Sequence, residues 1–425
     1  MMPDVSFSGL VIVAAVAFAV PLVLGFVPGL RVPRVVVEIL AGVVIGPWGL
    51  GWVQVDLPIQ VLALIGLAFL LLLAGLEVDF QRLLGPLLKL TGFGFLLSFG
   101  LAVVVGYSLG AVGLVQTPPF IAIVLAATSL GVLIPLLKDT GRSGSDFGQV
   151  VIAAASLADF GTIVLLSLLF SREATSTWTQ LVLIGSLVLL AVLVFVAVRG
   201  AEHSTRLSML LLQLQDTTAQ IRVRGAFVLL AIFVALAQRL GLEVILGAFI
   251  AGVVLGLVDR DERMTHVQFR PKLEAVGFGV FIPFFFIASG LRFNLGALFA
   301  SPSAAAQVPI FLLALLLVRG LPAALYRPLL GNRCALAAGL LQATTLGFVV
   351  VAAQIGVELR LVSEATGAAL VAAGLVSVLL FPLAALIVLR GEPVAGSAPA
   401  RQSGPDTGEA ATALAGGSLE LGGMP

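Results

Sequence analysis

Residues 118–137 read PPFIAIVLAATSLGVLIPLL and residues 333–356 read RCALAAGLLQATTLGFVVVAAQIG. Each is long and apolar enough to cross a membrane, for which an α-helix needs about 20 residues. Each is also interrupted near its middle. Thr128, Ser129 and Gly131, with Pro135 close behind, loosen the first span, and Gln342, Thr344, Thr345 and Gly347 loosen the second. Glycine and hydroxyl side chains weaken the helical ladder, and proline removes a donor. Backbone groups freed inside a bilayer must find partners, so a broken span survives only inside protein or beside water. Two breaks at corresponding positions point to the binding site of a secondary transporter. The plainer reading of the same residues is Ser/Thr packing between helices.

The two breaks belong to a longer correspondence. Residues 127–132 (ATSLGV) match 343–348 (ATTLGF), 38–46 (EILAGVVIG) match 248–256 (AFIAGVVLG), and 74–80 (AGLEVDF) match 289–295 (SGLRFNL). The pieces recur in one order at nearly constant offset. With the spans assigned below, each copy lies an odd number of helices from its mate, so the second copy crosses the membrane in the opposite sense. Such inverted repeats carry their site near the midplane, where the halves meet.

Composition agrees. The chain is 60% hydrophobic and only 11% charged, with mean hydropathy +1.17, whereas soluble domains carry about 25% charged residues. Lipid is the solvent for most of it. The pattern predicts an all-α polytopic membrane protein of about 13 transmembrane helices, near 6–28, 33–50, 58–76, 87–112, 118–137, 147–170, 178–198, 223–240, 242–258, 273–291, 306–326, 333–356 and 362–389. The expected organisation is a transmembrane domain over 1–390, with repeat one over 7–170, a linking helix at 178–198 and repeat two over 223–390. A disordered cytoplasmic tail, rich in Gly, Ala, Ser, Pro and Thr, is expected at 391–425. Met1–Asp4 lack the basic start of a cleaved signal peptide, so the first span reads as a retained helix. Of the 23 lysines and arginines, only Arg172, Arg239, Arg292 and Arg360 fall on one side of the membrane. Arg319 lies within a span and the rest share the other side, which places the N-terminus outside and the C-terminus in the cytoplasm. One cysteine, Cys334, and two histidines, His203 and His266, exclude a disulfide framework and make a His/Cys metal centre improbable. No cofactor and no nucleic-acid partner are expected.

Two charges lie deep in predicted spans, Asp159 in AAASLADFGTIVLLSLL and Arg319 in IFLLALLLVRGLPAALY. Each costs a few kcal/mol or more at the bilayer centre. A lone carboxylate there is neutralised either by a proton or by a cation, and that competition is enough for exchange. Na⁺ and K⁺ want oxygen ligands. Asp159, the hydroxyls of Thr128, Ser129 and Ser156, and carbonyls freed by the break are candidates; Ser156 shares the helix face of Asp159. The bland reading is an Asp159–Arg319 ion pair that locks two helices. Glu77 and Asp79 are expected at an interface.

Together these pieces resemble the monovalent cation/proton antiporter superfamily, in its branch of bacterial sodium/proton and potassium-efflux antiporters. The resemblance covers about residues 7–390 and rests most on VPRVVVEILAGVVIGPWGLG (32–51), LLAGLEVDF (72–80), GLEVILGAFIAGVVLG (241–256) and FIPFFFIASGLRFNL (281–295). It implies thirteen helices, a dimerisation part and a mobile core in which two broken helices cross beside an ion-binding aspartate. Asp159 takes the place of the essential carboxylate, and Arg319 that of the family's basic, charge-balancing residue. Two positions depart. Ala158 stands where the family often has Asp, Asn or Gln, and Thr345 where it often has Glu. Without the second carboxylate of electrogenic members, the resemblance implies an electroneutral exchange of one Na⁺ or K⁺ for one H⁺ in a homodimer, with Asp159 the site of the transported cation. No nucleotide-binding regulatory domain of the potassium-efflux kind is expected. The alternative is a sodium-coupled organic anion carrier of a related inverted-repeat fold. An enzyme is not expected, because the spans hold too few polar groups for one.

Overall fold

A computed structural model describes residues 7–26, 33–77, 87–170, 182, 185, 189, 192, 220–240, 244–259 and 269–390. Among them every regular element is a helix, as a bilayer requires, since only a helix satisfies its own backbone in lipid without a closed barrel. In chain order these are α1 (Ser8–Phe26), α2 (Arg34–Ile45), α3 (Leu57–Glu77), α4 (Leu87–Ala111), α5 (Pro118–Leu125), α6 (Leu130–Asp139), α7 (Asp146–Leu169), α8 (Ile221–Arg239) and α9 (Val244–Asp259). They continue with α10 (Phe269–Leu291), α11 (Leu295–Phe299), α12 (Pro302–Leu315), α13 (Arg327–Gln342), α14 (Gly347–Glu358) and α15 (Glu364–Val388). A π-helical turn, Gly277–Phe281, interrupts α10, and another, Leu316–Gly320, follows α12. Gly331 has φ 78°, a left-handed value that glycine adopts without strain, and it kinks α13 just before the second broken span.

Helix is present in every expected span; of 178–198 only Val182, Gly185, Leu189 and Val192 are among the described residues, all helical. The tail at 391–425 also lies outside them. Both broken spans are broken. The gap between α5 and α6 falls on residues 126–129 and that between α13 and α14 on 343–346. Gly131 and Pro135 therefore sit inside α6 rather than in the gap. Gln342 closes α13 and Gly347 opens α14.

Packing sorts the helices into two bodies. A scaffold joins α1, α2, α3, α8, α9 and α10; a core joins α4 to α7 with α12 to α15. Contact between the bodies runs chiefly through α7 against α9, and the short α11 packs on the core helices α12 and α15. The inverted repeat explains the scaffold. The sequence matches α2 to α9 and α3 to α10, yet each helix packs against its mate's partner: α2 on α10, and α3 on α9. The matched glycines make both crossings. A Cβ on Gly42 would run into the Ile287 carbonyl oxygen, and one on Gly290 into that of Ile39. A Cβ on Gly75 would strike the Phe249 carbonyl oxygen, and one on Gly252 that of Leu72. Between lipid-facing helices such close backbone approach, rather than a hydrophobic drive, supplies the packing energy. Gly252→Val is accordingly expected to destabilise the scaffold by about 1–3 kcal/mol, read as a lower melting temperature in detergent.

Candidate functional site

The site lies where the two breaks meet. Each broken span leaves one helix C-terminus and one N-terminus near the middle of the protein, with carbonyls and N–H groups that lack helical partners. The breaks satisfy one another in part. Ser129 N–H donates to the Thr344 carbonyl at 2.9 Å, and the Thr128 hydroxyl donates to the Gln342 carbonyl at 2.8 Å. Leu130 N–H, the first of α6, donates to Asp159 Oδ2 at 3.3 Å. A carboxylate at a helix N-terminus is favoured by the unpaired N–H groups and the helix dipole.

Asp159 reaches this point because α7 starts squarely. Ser145 Oγ accepts from Gly148 N–H at 3.2 Å, and Asp146 occupies the first turn. From there α7 runs unbroken past the gap between α5 and α6. Asp159, Thr128, Ser129, Gly131 and Gly347 line a cavity of about 100 Å³ between core and scaffold, walled by Leu70, Phe278, Phe286 and Phe348. Asp159 Oδ1 is buried and has no hydrogen-bond partner. Buried polar atoms are nearly always paired, so an orphan carboxylate oxygen on a residue that lines a cavity marks a place for a ligand.

The other expected residues stand behind the cavity. Arg319 is 2% exposed, and its Nε donates to Thr128 Oγ1 at 2.8 Å while Nη1 donates to Ser98 Oγ at 3.1 Å. Ser98 in turn donates to the Val318 carbonyl at 2.8 Å. The guanidinium thus grips the first break through Thr128, and Thr128 passes the grip to the end of α13. Arg319 Nη2, Gln342 Nε2 and Thr345 Oγ1 are also buried without partners. No Asp159–Arg319 ion pair forms; the arginine binds hydroxyls instead. Ser156 is buried one turn before Asp159 but does not line the cavity.

Glu77, the last residue of α3, where the sequence leads one to expect an interface, also lines the cavity of Asp159. It pairs with Arg270 at 3.6 Å, and Arg270 also bonds Glu274 at 3.1 Å. Asp79 lies outside the described residues. At the far end of the same helices a second cavity, about 280 Å³, is lined by Trp48, Ser289, Asn294, Gln354 and Glu364. Two hydrogen bonds cross between scaffold and core there: Gln354 Nε2 to Ser289 Oγ at 2.8 Å and Asn294 Nδ2 to Glu364 Oε2 at 2.7 Å.

Comparison with known proteins agrees with this geometry. The family described as "Sodium/hydrogen exchanger, transmembrane" matches residues 14–390. The putative Na⁺/H⁺ antiporter YjbQ of Bacillus subtilis (strain 168) is 30% identical over 400 residues, which is 90% of this chain and 63% of YjbQ. The chain therefore spans less than two thirds of that relative. The Na⁺/H⁺-K⁺ antiporter GerN of Bacillus cereus is 27% identical over 267 residues, 61% of this chain and 65% of GerN. In fold, the chain is similar to the sodium proton antiporter MjNhaP1 of Methanocaldococcus jannaschii, with TM-score 0.65, 18% identity, and coverage of 90% of this chain and 98% of that one.

Proposed function

Because this chain belongs to the sodium/hydrogen exchanger family of transmembrane proteins, we propose that it exchanges Na⁺ or K⁺ for H⁺ by alternating access, with Asp159 as the group for which cation and proton compete. The observation that carries this reading is that Asp159 lines a cavity between the two bodies while its Oδ1 is buried and unpartnered. Thr128 and Ser129 supply further oxygens on the same wall.

The size of the cavity separates the two sequence-based readings. At about 100 Å³ it holds a cation with a few waters, each taking about 30 Å³ in the liquid. Organic ligands occupy pockets of about 300–1,000 Å³. The sodium-coupled organic anion carrier is thereby the weaker alternative.

Transport then follows from charge. A bare Asp159 is costly in low dielectric, while Asp159 neutralised by a proton or a cation moves with the core at lower cost. Coupling arises because the empty, charged form is the one that does not cross. Glu77 shares the cavity, but Arg270 matches its charge. Asp159 therefore remains the one carboxylate of the cavity without a cationic partner, and one cation is exchanged for one proton without net charge. The lysine and arginine asymmetry puts the Glu77 end in the cytoplasm and the N-terminus outside. The Asp159 cavity then belongs to an inward-facing form, with the Gln354–Ser289 and Asn294–Glu364 bonds closing the outer seam. The protein is proposed to work in the cell's inner membrane as a homodimer, its transmembrane domain covering 1–390.

In proteoliposomes with an imposed pH gradient and a pH-sensitive dye, added Na⁺ or K⁺ is expected to dissipate the gradient, and the responding ion names the substrate. Clamping the membrane voltage at different values is expected to leave the rate unchanged. A rate that follows voltage contradicts the electroneutral cycle, and silence towards both ions contradicts the exchanger reading.

A further inference from the structure

The second break has its own anchor. Ser377, in α15, is fully buried. Its Oγ accepts from Thr345 N–H at 3.1 Å. Its hydroxyl lies 2.9 Å from the Thr345 carbonyl and 2.8 Å from the Gly374 carbonyl, and donates to one of them at a time. One small side chain thus satisfies backbone groups that the break sets free in a place water does not reach.

The inverted repeat gives this contact a meaning. α7 and α15 start alike. Each is capped by a serine that accepts from the N–H three residues on, Ser145 from Gly148 and Ser363 from Thr366, and each opens with an acidic residue, Asp146 and Glu364. The step from Ser145 to Asp159 equals the step from Ser363 to Ser377. Ser377 therefore stands in the second repeat where Asp159 stands in the first. The roles correspond too. Asp159 takes the N–H of Leu130 beside the first gap, and Ser377 takes that of Thr345 in the second. The two N–H groups lie one repeat position apart, and Ser377 is neutral and also donates, so the repeat supplies one carboxylate and one uncharged brace at equivalent helix positions.

The brace reaches the cavity in few steps. Thr345 follows Thr344, whose carbonyl accepts from Ser129 N–H at 2.9 Å. Ser129 lines the cavity, and the next residue, Leu130, donates to Asp159. Resting on the exchange proposed above, we infer that Ser377 is a positioning residue for cation binding: it fixes the second break, and through the Thr344–Ser129 bond it fixes the wall against which Asp159 holds the ion. Ser377 does not touch the ion. Its removal frees the Thr345 backbone and loosens the wall.

The test measures exchange against cation concentration in proteoliposomes, for wild type, Ser377→Ala, Ser377→Thr and Ser377→Cys, with Asp159→Asn as reference. In parallel, the melting temperature of each protein in detergent is titrated with NaCl, KCl and LiCl, which reads binding without transport. The apparent KM of Ser377→Ala is expected to rise roughly tenfold, the scale of one buried hydrogen bond, with kcat within about twofold. The midpoint of its cation-induced melting shift is expected to move by the same factor. Threonine keeps the hydroxyl and is expected to restore both. Cysteine keeps the volume with a weaker donor, is expected to fall between, and replaces alanine if that variant does not fold. A variant with lower melting temperature but unchanged KM and midpoint makes Ser377 purely structural and overturns the inference. If wild type fails to exchange, the proposed function falls, and the melting titration still decides Ser377: an unchanged midpoint, or no cation shift in wild type, overturns it.

Discussion

Asp159→Asn is expected to reduce cation-driven proton flux at least about a hundredfold, to the level of empty liposomes. The substitution is nearly isosteric. An asparagine amide oxygen still accepts the Leu130 N–H now bonded to Oδ2, so the start of α6 stays in place and the protein is expected to insert and melt as wild type does. What disappears is the charge. Placing a charge at the bilayer centre costs about 3 kcal/mol, and about 1.4 kcal/mol is a factor of ten, so the energy that distinguishes empty from loaded sites vanishes with it. The variant is then neutral in every state, binds neither ion well and couples nothing. Flux assays on protein of verified insertion check this, and exchange within a few-fold of wild type would move the site away from Asp159.

Arg319 gives the second large effect, by a different route. Its guanidinium binds Thr128 and Ser98 at once, and Thr128 bonds the last carbonyl of α13. Two helix C-termini end in this region, those of α5 and α13, and a buried cation offsets their partial negative charge. Arg319→Ala opens a cavity, withdraws two charge-assisted hydrogen bonds and leaves those helix ends uncompensated. The expected cost is about 3–5 kcal/mol, seen as a sharply lower melting temperature together with loss of exchange. Arg319→Lys keeps the charge but not the fork that reaches two hydroxyls. It is expected to fold, to melt between the other two proteins and to exchange slowly. An alanine variant as stable and active as wild type would reduce Arg319 to a passenger.

Much of this was legible in the sequence. Hydropathy placed the spans, because lipid leaves few alternatives to helices of about 20 apolar residues. The hydroxyl and glycine pattern marked both gaps. Three matched segments pointed to the inverted repeat, yet not to its crossed packing, in which Gly42 meets Gly290 and Gly75 meets Gly252. Matching identifies equivalent residues, whereas contact depends on how two copies are arranged in space.

The limits at the site have similar causes. Proline removes a donor, and Pro135 looks like part of the first gap, yet α6 runs through it and the gap falls earlier, on residues 126–129. Asp159 and Arg319 invited pairing as opposite charges in one low-dielectric region, but distances between helices are not written in sequence. The arginine found hydroxyls instead. Glu77 sits a few residues from Arg82 and Asp79, which suggests an interface, and nothing in the sequence marks that the cavity extends along α3 to include it. Ser377 gave no signal by itself. Its meaning appears only when two helices are counted from their caps and the hydrogen bonds at both gaps are compared.

The claim at the centre of this account is that one carboxylate holds either a proton or a cation. The direct measurement is the apparent KM for the transported cation across a pH series, in proteoliposomes with equal pH on both sides. Competition at Asp159 predicts that, in the acidic part of the series, each tenfold increase in proton concentration raises the KM about tenfold, while the rate at saturating cation stays nearly constant. A KM that ignores pH while the maximal rate falls would place proton and cation on separate groups and contradict the account.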